Sequence, residues 1–233
     1  MIICPICQTQ NNHLTSICVK CGGYLQTKVD NINLFETLWK LIEHPAKAFQ
    51  NIAMAKHKNY IVLLAFLSGI DLSFLLLWFW NVYDRLEDSK VFLLAGSGGG
   101  ILFGLIFITV ISLFVLLLAR IFKVKTLFRN VWSVVSFSFV PLIYAFIFLM
   151  PVKLLAFGIN YFSTNPSPET LNQFVYDLLL IIEGSMIFWA AILFIIAVKT
   201  IYGMNIGKTL TVCIPVLIIV SVAIYISKII ING

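Results

Sequence analysis

Charged residues are scarce in this chain. Asp, Glu, Lys and Arg make up 11% of its 233 residues and hydrophobic residues 61%, against about 25% and about 45–50% in ordinary soluble domains. The mean hydropathy is +1.00. The few charges fall in short stretches between long apolar runs, as expected of segments that lie in lipid. This composition excludes an ordinary soluble globular protein.

Features typical of enzymes and of nucleic-acid-binding proteins are also missing. The three histidines, His13, His44 and His57, all precede the first apolar run, and the sequence contains no nucleophile elbow or metalloprotease helix. The basic residues behind the net charge of +6 are spread over loops rather than gathered on one surface. No secretory signal peptide is expected, because the first apolar run begins only near Tyr60. We therefore predict a protein that is not an enzyme and does not bind nucleic acid.

Five segments are long and apolar enough to cross a bilayer, which takes about 20 residues of helix. They are residues 60–80, 98–119, 131–150, 174–198 and 209–230. The predicted fold is an all-α polytopic membrane protein with five transmembrane helices. Its transmembrane domain is expected to occupy residues 60–233.

Glycines and prolines are expected to shape three of these spans. Gly96, Gly100 and Gly104 recur on one helical face, which would let another backbone approach closely. We expect this neighbour to be a helix of the same chain, with a second protein as the alternative. The glycine-rich run from the first of these residues should break the start of span two into an interfacial segment. Pro141 and Pro215 should kink spans three and five.

Lysines and arginines are distributed unequally on the two sides of a five-span arrangement. Twelve lie before span one, between spans two and three, or between spans four and five. The opposite side carries four: Arg85, Lys90, Lys153 and Lys228. Because Lys and Arg resist translocation, the N-terminus is predicted to be cytosolic and the C-terminus external. The predicted location is the cytoplasmic membrane, as a multi-pass protein.

Residues 28–59 are predicted to form an amphipathic juxtamembrane segment. Apolar side chains share one face of its first helix: Leu34, Phe35, Leu38, Trp39, Leu41 and Ile42. Glu36, Thr37, Lys40 and Glu43 take the other face. Pro45 suits the first turn of a second short helix. Two interpretations stay open: the apolar face packs on the helical bundle, or it anchors the segment in the membrane surface.

Two CxxC pairs near the N-terminus predict a metal site. Cys4 and Cys7 form the first, and Cys18 and Cys21 form the second after ten intervening residues. This spacing lets four thiolates converge tetrahedrally on one ion, and zinc favours such ligands. We predict a zinc ribbon over residues 1–27, with one structural Zn²⁺ whose filled coordination shell leaves no position for a substrate.

The alternative to zinc is a pair of disulfides. Disulfides need an oxidising compartment, whereas the predicted orientation places these cysteines in reducing cytosol. Two nearby residue types are not assigned to the site. His13 is expected to be a loop residue rather than a ligand, and Cys213, within span five, is expected to be a small packing residue.

Two acidic residues lie deep within predicted spans. Asp71 is near the middle of span one and Glu183 is well inside span four, where a charge costs roughly 2.5–3.5 kcal/mol. No lysine or arginine is expected at comparable depth, so both acids should be protonated and hydrogen-bonded to hydroxyls. They could join helices as neutral groups, or they could form an ion or proton pathway.

Several landmarks resemble the Yip1 domain family. Residues 41–49 (LIEHPAKAF) look like the family's proline-containing stretch before span one, and residues 119–122 (ARIF) look like its next landmark. Residues 136–141 (SFSFVP) are similar to the family's serine-rich approach to a proline in span three. The hairpin through Gly207 and Lys208 is the last match. The resemblance extends from Leu38 to the end of the chain.

The resemblance implies a five-helix membrane protein and assigns no catalytic residue. It implies vesicle trafficking with small GTPases for eukaryotic members, while some prokaryotic members accompany ABC-type exporters. The favoured function is a non-enzymatic scaffold or accessory protein that binds partners through its zinc ribbon and bundle. The protein could also form oligomers. The alternative is a transporter or channel component, or an exporter subunit, that uses Asp71 and Glu183.

Overall fold

The computed structural model of the chain describes residues 2–12, 14–25, 29–86, 88–124 and 126–232, with only the backbone of residue 232. The N-terminal region contains two short antiparallel strands, β1 (Ile2–Ile3) and β2 (Gln10–Asn11). A bridge between Ile17 and Tyr24 closes a second loop. These two loops carry the four N-terminal cysteines.

Two amphipathic helices follow. Helix α1 (Leu34–Glu43) begins where the side chain of Asn33 accepts a hydrogen bond from the Glu36 N–H, and α2 (Pro45–Met54) begins at its proline. Helix α2 packs against the bundle, contacting the helices that begin at Phe128 and Pro168. The predicted juxtamembrane helices are therefore present and docked on the membrane domain.

The apolar face of α1 serves two environments. Leu41 is buried, and Leu34 and Leu38 pack against the core. Phe35, Trp39 and Ile42 are exposed by 83%, 62% and 51%. One stripe of the face therefore packs on the bundle, as one interpretation predicted, while the other stripe has the composition of a membrane-surface contact. Thr37, predicted on the polar face, is instead buried.

Five helical segments within the described residues are long and apolar enough to span a membrane, as predicted. They extend over Ile61–Phe79, Ser89–Arg120, Phe128–Phe162, Pro168–Tyr202 and Ile206–Ile231. Helix α3 (Ile61–Phe79) forms the first, and a short helix α4 (Tyr83–Leu86) follows it. The second comprises α5 (Ser89–Leu94), a π-helical turn (Ala95–Gly99) and α6 (Gly100–Arg120).

The third span is interrupted and longer than predicted. It comprises α7 (Phe128–Ser138), α8 (Val140–Tyr144), a π-helical turn (Ala145–Leu149), α9 (Met150–Phe157) and a 3₁₀ turn (Gly158–Phe162). The break falls at Phe139, two residues before Pro141, whose ring disfavours helical geometry upstream. The predicted end at residue 150 is wrong, because helical backbone continues for twelve more residues.

Helices α10 (Pro168–Tyr202) and α11 (Ile206–Asn232) form the last two spans. Asn172 has extended backbone angles inside α10, and its side chain caps the helix that continues from it by accepting from Val175 N–H at 3.2 Å. Gly203 ends the helix in the left-handed conformation, and Asn205 caps α11. Helix α11 continues through Pro215.

The glycine face of the second span contacts the first span. A Cβ on Gly104 would lie 2.1 Å from the carbonyl oxygen of Ala65, and one on Gly100 would lie 2.6 Å from Cα of Ile70. The facing residue in α3 is Gly69, whose own Cβ would lie 2.3 Å from Cα of Gly104. The expected neighbour within the same chain is thus found. The predicted break at the glycines is wrong, because a π-helical turn carries the helix through them.

Candidate functional site

Two similar loops position the four N-terminal thiols. In the first, the N–H of Gln8 donates to the carbonyl of Cys4, and Gln8 has a positive φ of 55°. In the second, the N–H of Gly22 donates to the carbonyl of Cys18, and Gly22 has a φ of 70°. In each loop the residue after the second cysteine turns the chain through the left-handed region, which glycine adopts without strain. The repeated turn points both CxxC pairs at one centre.

The thiol geometry fits a single tetrahedral metal ion. All four sulfur atoms lie within 4.8 Å of one another. Cys4 Sγ lies 3.6 Å from Cys21 Sγ, and Cys7 Sγ lies 3.5 Å from Cys18 Sγ. Zn–S bonds of about 2.3 Å in tetrahedral geometry place sulfur atoms about 3.8 Å apart. All five cysteines of the chain are free rather than disulfide-bonded. The cluster is therefore able to hold a metal ion.

Local hydrogen bonds favour thiolates at part of this cluster. Backbone hydrogen bonds from Cys21 and Lys20 lower the pKa of Cys18 to about 6. Hydrogen bonds from Thr9 lower the pKa of Cys7. Although a backbone hydrogen bond from Gly23 acts in the opposite sense, the neighbouring thiols raise the pKa of Cys21 to about 12. Like charges that gather at one centre oppose further ionisation, and a bound cation removes that opposition.

Asn11 supports the cluster from behind. Its side chain is buried, donates to Cys18 Sγ at 3.5 Å and to Thr9 O at 2.8 Å, and accepts from Val19 N–H at 2.9 Å. One amide thus joins the two loops. Residues that orient metal ligands in this way tune the ligands and hold them in place. The CxxC spacing does not predict Asn11, because its role depends on how the loops fold together.

Apolar side chains surround the thiol cluster on the outside. Ile3, Ile6, Val19 and Tyr24 are exposed by 62%, 70%, 77% and 78%. A metal-held loop region of this size has no core of its own to bury them in. Together they form an exposed apolar surface on the part of the chain that precedes the membrane domain.

A second polar site lies inside the bundle, and it corrects one prediction. Glu183, in α10, is buried and forms an ion pair with Lys153 of α9. Tyr161 donates its hydroxyl to Glu183 at 3.4 Å, and Lys153 Nζ lies 4.8 Å from the centre of the Tyr161 ring. The expectation that no lysine reaches this depth is wrong. The sequence predicts an outer loop at Lys153, whereas helix α9 carries this residue into the bundle.

Asp71 lies beside this ion pair, at the same small cavity. It is buried in α3, and its Oδ2 has no hydrogen-bond partner among the described residues. It shares the lining of a small cavity of about 10 Å³ with Lys153, Tyr161 and Glu183. That volume is close to the minimum for one water molecule, about 10–15 Å³. The two predicted acids therefore line one cavity, together with the lysine of α9.

The other singled-out residues are placed as follows. Cys213 is fully buried among apolar side chains of the core. His13 lies outside the described residues. Asp84, in α4, accepts hydrogen bonds from Ser163 and Thr164 and so fastens α4 to the loop after span three. Burial alone would raise the pKa of Asp84, but these hydrogen bonds outweigh it and lower the pKa.

Comparison with known proteins places most of the chain in one family. The Yip1 domain matches residues 39–227. No curated protein and no solved structure matches the chain. The matched range begins within α1, includes α2 and the first four spans, and ends within the fifth span. It leaves the four-cysteine region outside.

Proposed function

Since the chain belongs to the Yip1 domain family, we propose that it is a non-enzymatic accessory or scaffold protein of the cytoplasmic membrane. The family consists of membrane proteins that are not enzymes. The five apolar helices make the chain a multi-pass membrane protein. Its N-terminal cysteine region, proposed to span residues 1–27, supplies the part that contacts a partner. Residues 28–59 link it to the membrane domain proposed for residues 60–233.

The metal of the N-terminal region is proposed to be one structural Zn²⁺. The ligands are Cys4, Cys7, Cys18 and Cys21, whose sulfur separations suit a tetrahedral site. Four thiolates select a soft, tetrahedral ion such as zinc. They also fill its coordination shell, so the ion would hold the two loops together and would have no open position for catalysis. The excess of Lys and Arg beside this region supports a reducing, cytosolic location.

The observation that carries the proposal is the pairing of a closed thiol cluster with exposed apolar side chains. Val19 and Tyr24 are each more than three-quarters exposed. Both adjoin the second CxxC pair, so metal binding would fix their positions. Exposed aromatic and aliphatic side chains on a rigid surface are the usual centre of a protein–protein contact.

The experiment compares three variants of the full-length protein after gentle solubilisation. Cys4→Ser with Cys18→Ser removes two ligands, Val19→Ser with Tyr24→Ser alters only the surface, and Cys213→Ser is the control for loss of a cysteine. We expect about one zinc ion per chain in the wild type, the surface variant and the control, and none in the ligand variant. Elemental analysis of each purified protein gives this number.

The same samples test partner binding. Proteins that co-purify with the wild type and the control should be lost from both the ligand variant and the surface variant. If the surface variant retains zinc and also retains every partner, the proposed contact is contradicted. Bridged cysteines and no zinc in the wild type would contradict the proposed metal site.

The polar site inside the bundle argues against the alternative function, a transporter that uses Asp71 and Glu183 as two free acids. The carboxylate of Glu183 is neutralised by Lys153 and hydrogen-bonded by Tyr161. The pair joins α9 to α10. Of the two acids, Asp71 has one carboxyl oxygen, Oδ2, without a hydrogen-bond partner among the described residues, so the ion-pathway function depends on that residue.

A further inference from the structure

The membrane domain contains a long apolar groove. Helix α11 packs mainly against α6 and α10, and the groove lies between α11 and α3. Its volume is about 320 Å³, within the range of about 300–1,000 Å³ typical of ligand sites. Representative lining residues are Leu75, Phe107, Ala191 and Val220. Such a lining suits a hydrocarbon chain.

A polar pocket continues the groove at the bundle end opposite to the cysteine region. Trp78 and Phe79, at the end of α3, line both spaces. The polar pocket has a volume of about 300 Å³, and its wall includes Lys228 of α11 and Glu169 of α10. Tryptophan at this level is typical of the membrane–water interface. The two spaces together present an apolar length and a charged end, which is the form of a lipid.

The charges at the polar end distinguish among lipid classes. Lys228 Nζ lies 4.1 Å above the centre of the Phe79 ring, and no described carboxylate forms an ion pair with it. This ammonium is therefore available to a phosphate. Glu169 is exposed on the same pocket and offers a carboxylate to a cation. One positive and one negative group complement a headgroup that carries both charges.

We propose that this site binds one molecule of a zwitterionic phospholipid, for which phosphatidylethanolamine is the probe. An acyl chain occupies the apolar groove, the phosphate contacts Lys228, and the headgroup ammonium contacts Glu169. A transmembrane helix of a partner or of a second copy suits the site less well, because an apolar helix offers neither a phosphate to Lys228 nor an ammonium to Glu169. An anionic lipid would satisfy Lys228 but would be repelled by Glu169.

Native mass spectrometry of the detergent-solubilised full chain tests the site. The protein is exchanged with mixed micelles that contain equal amounts of phosphatidylethanolamine and phosphatidylglycerol, and the retained lipid is counted. We expect one phosphatidylethanolamine per chain. Val220→Trp fills the groove and should lower its retention at least about tenfold. Val222→Trp, on the exposed side of the same helix, should leave it within about twofold.

Two charge variants test the headgroup contacts without filling the groove. Lys228→Gln should weaken retention of both lipids by about tenfold, which corresponds to about 1.4 kcal/mol, whereas Lys90→Gln should not. Glu169→Gln should shift the preference toward phosphatidylglycerol, whereas Asp177→Asn should not. Equal losses in Val220→Trp and Val222→Trp would overturn the groove as a specific site and leave only general lipid contact. Equal retention of the two lipids by the wild type would overturn the headgroup assignment.

Discussion

Removal of one partner of the buried ion pair should destabilise the membrane domain strongly. The side chains of Lys153 and Glu183 are only 6% and 4% exposed, so solvent does not replace the lost partner. Breaking a buried pair costs about 3–5 kcal/mol. We expect Lys153→Met to lower the free energy of unfolding by about 3 kcal/mol, the lower end of this range. The Tyr161 hydroxyl still donates to Glu183 in this variant. Glu183→Gln should cost about as much, since it removes the ion-pair partner of a buried ammonium.

The double variant distinguishes a charge pair from two independent contacts. Lys153→Met with Glu183→Gln leaves neither charge behind, so the free energy of unfolding should be restored to within about 1–2 kcal/mol of the wild type. The coupling energy is then at least about 3 kcal/mol. Tryptophan fluorescence during unfolding in mixed micelles measures the free energy of unfolding of the wild type and the three variants. Lys90→Met, at an exposed position, is the control and should change little.

Additive costs in the double variant would refute the reasoning. So would a cost below about 1 kcal/mol for either single variant, because the buried charge would then have found another partner or water. A selective rescue by the double variant would instead assign Glu183 a structural role in joining α9 to α10.

Two further predictions concern helix packing and the contact between α4 and the loop after span three. Gly104→Ala should lower the free energy of unfolding by about 1–3 kcal/mol in the same assay, since its Cβ would lie 2.1 Å from the Ala65 oxygen. Gly98→Ala, whose Cβ meets open space, should be neutral or slightly stabilising, and equal effects would contradict the close helix contact. Because the pKa of Asp84 is lowered by its hydrogen bonds from Thr164, its contribution is present above the unfolded value of about 3.9 and is lost as pH falls through the folded value. Asp84→Asn should therefore cost about 1 kcal/mol at pH 7 and little at pH 3, and an equal cost at both would contradict this account.

The parts of the fold that depend on hydrophobic length could be predicted from the sequence. Each span is a run of apolar residues long enough for the bilayer, and the structure contains a helix at each predicted position. The thiol cluster could also be predicted, since the CxxC spacing determines which loops form. The partner of the glycine face was predicted only as some helix of the chain. Gly69 completes the contact, yet a single glycine in an apolar run gives no sign of its neighbour.

The end of the third span could not be predicted in the same way. Pro151 and Lys153 follow the predicted end, and each normally argues against a continuing spanning helix. The π-helical turn Ala145–Leu149 comes directly before this point, and α9 then starts with its proline in the first turn. Burial of Lys153 is tolerated because Glu183 lies on the facing helix, a pairing over 30 residues that no local pattern encodes.

The position of Lys153 also bears on the predicted orientation. The comparison of twelve basic residues with four counted Lys153 as part of an external loop. Within the bundle and paired with Glu183, it no longer belongs to the loops whose charge resists translocation. Three basic residues then remain on that side against twelve on the other. The position of Lys153 in the bundle therefore weakens the transporter hypothesis and increases the charge asymmetry. This asymmetry predicts a cytosolic, reducing location for the four thiols.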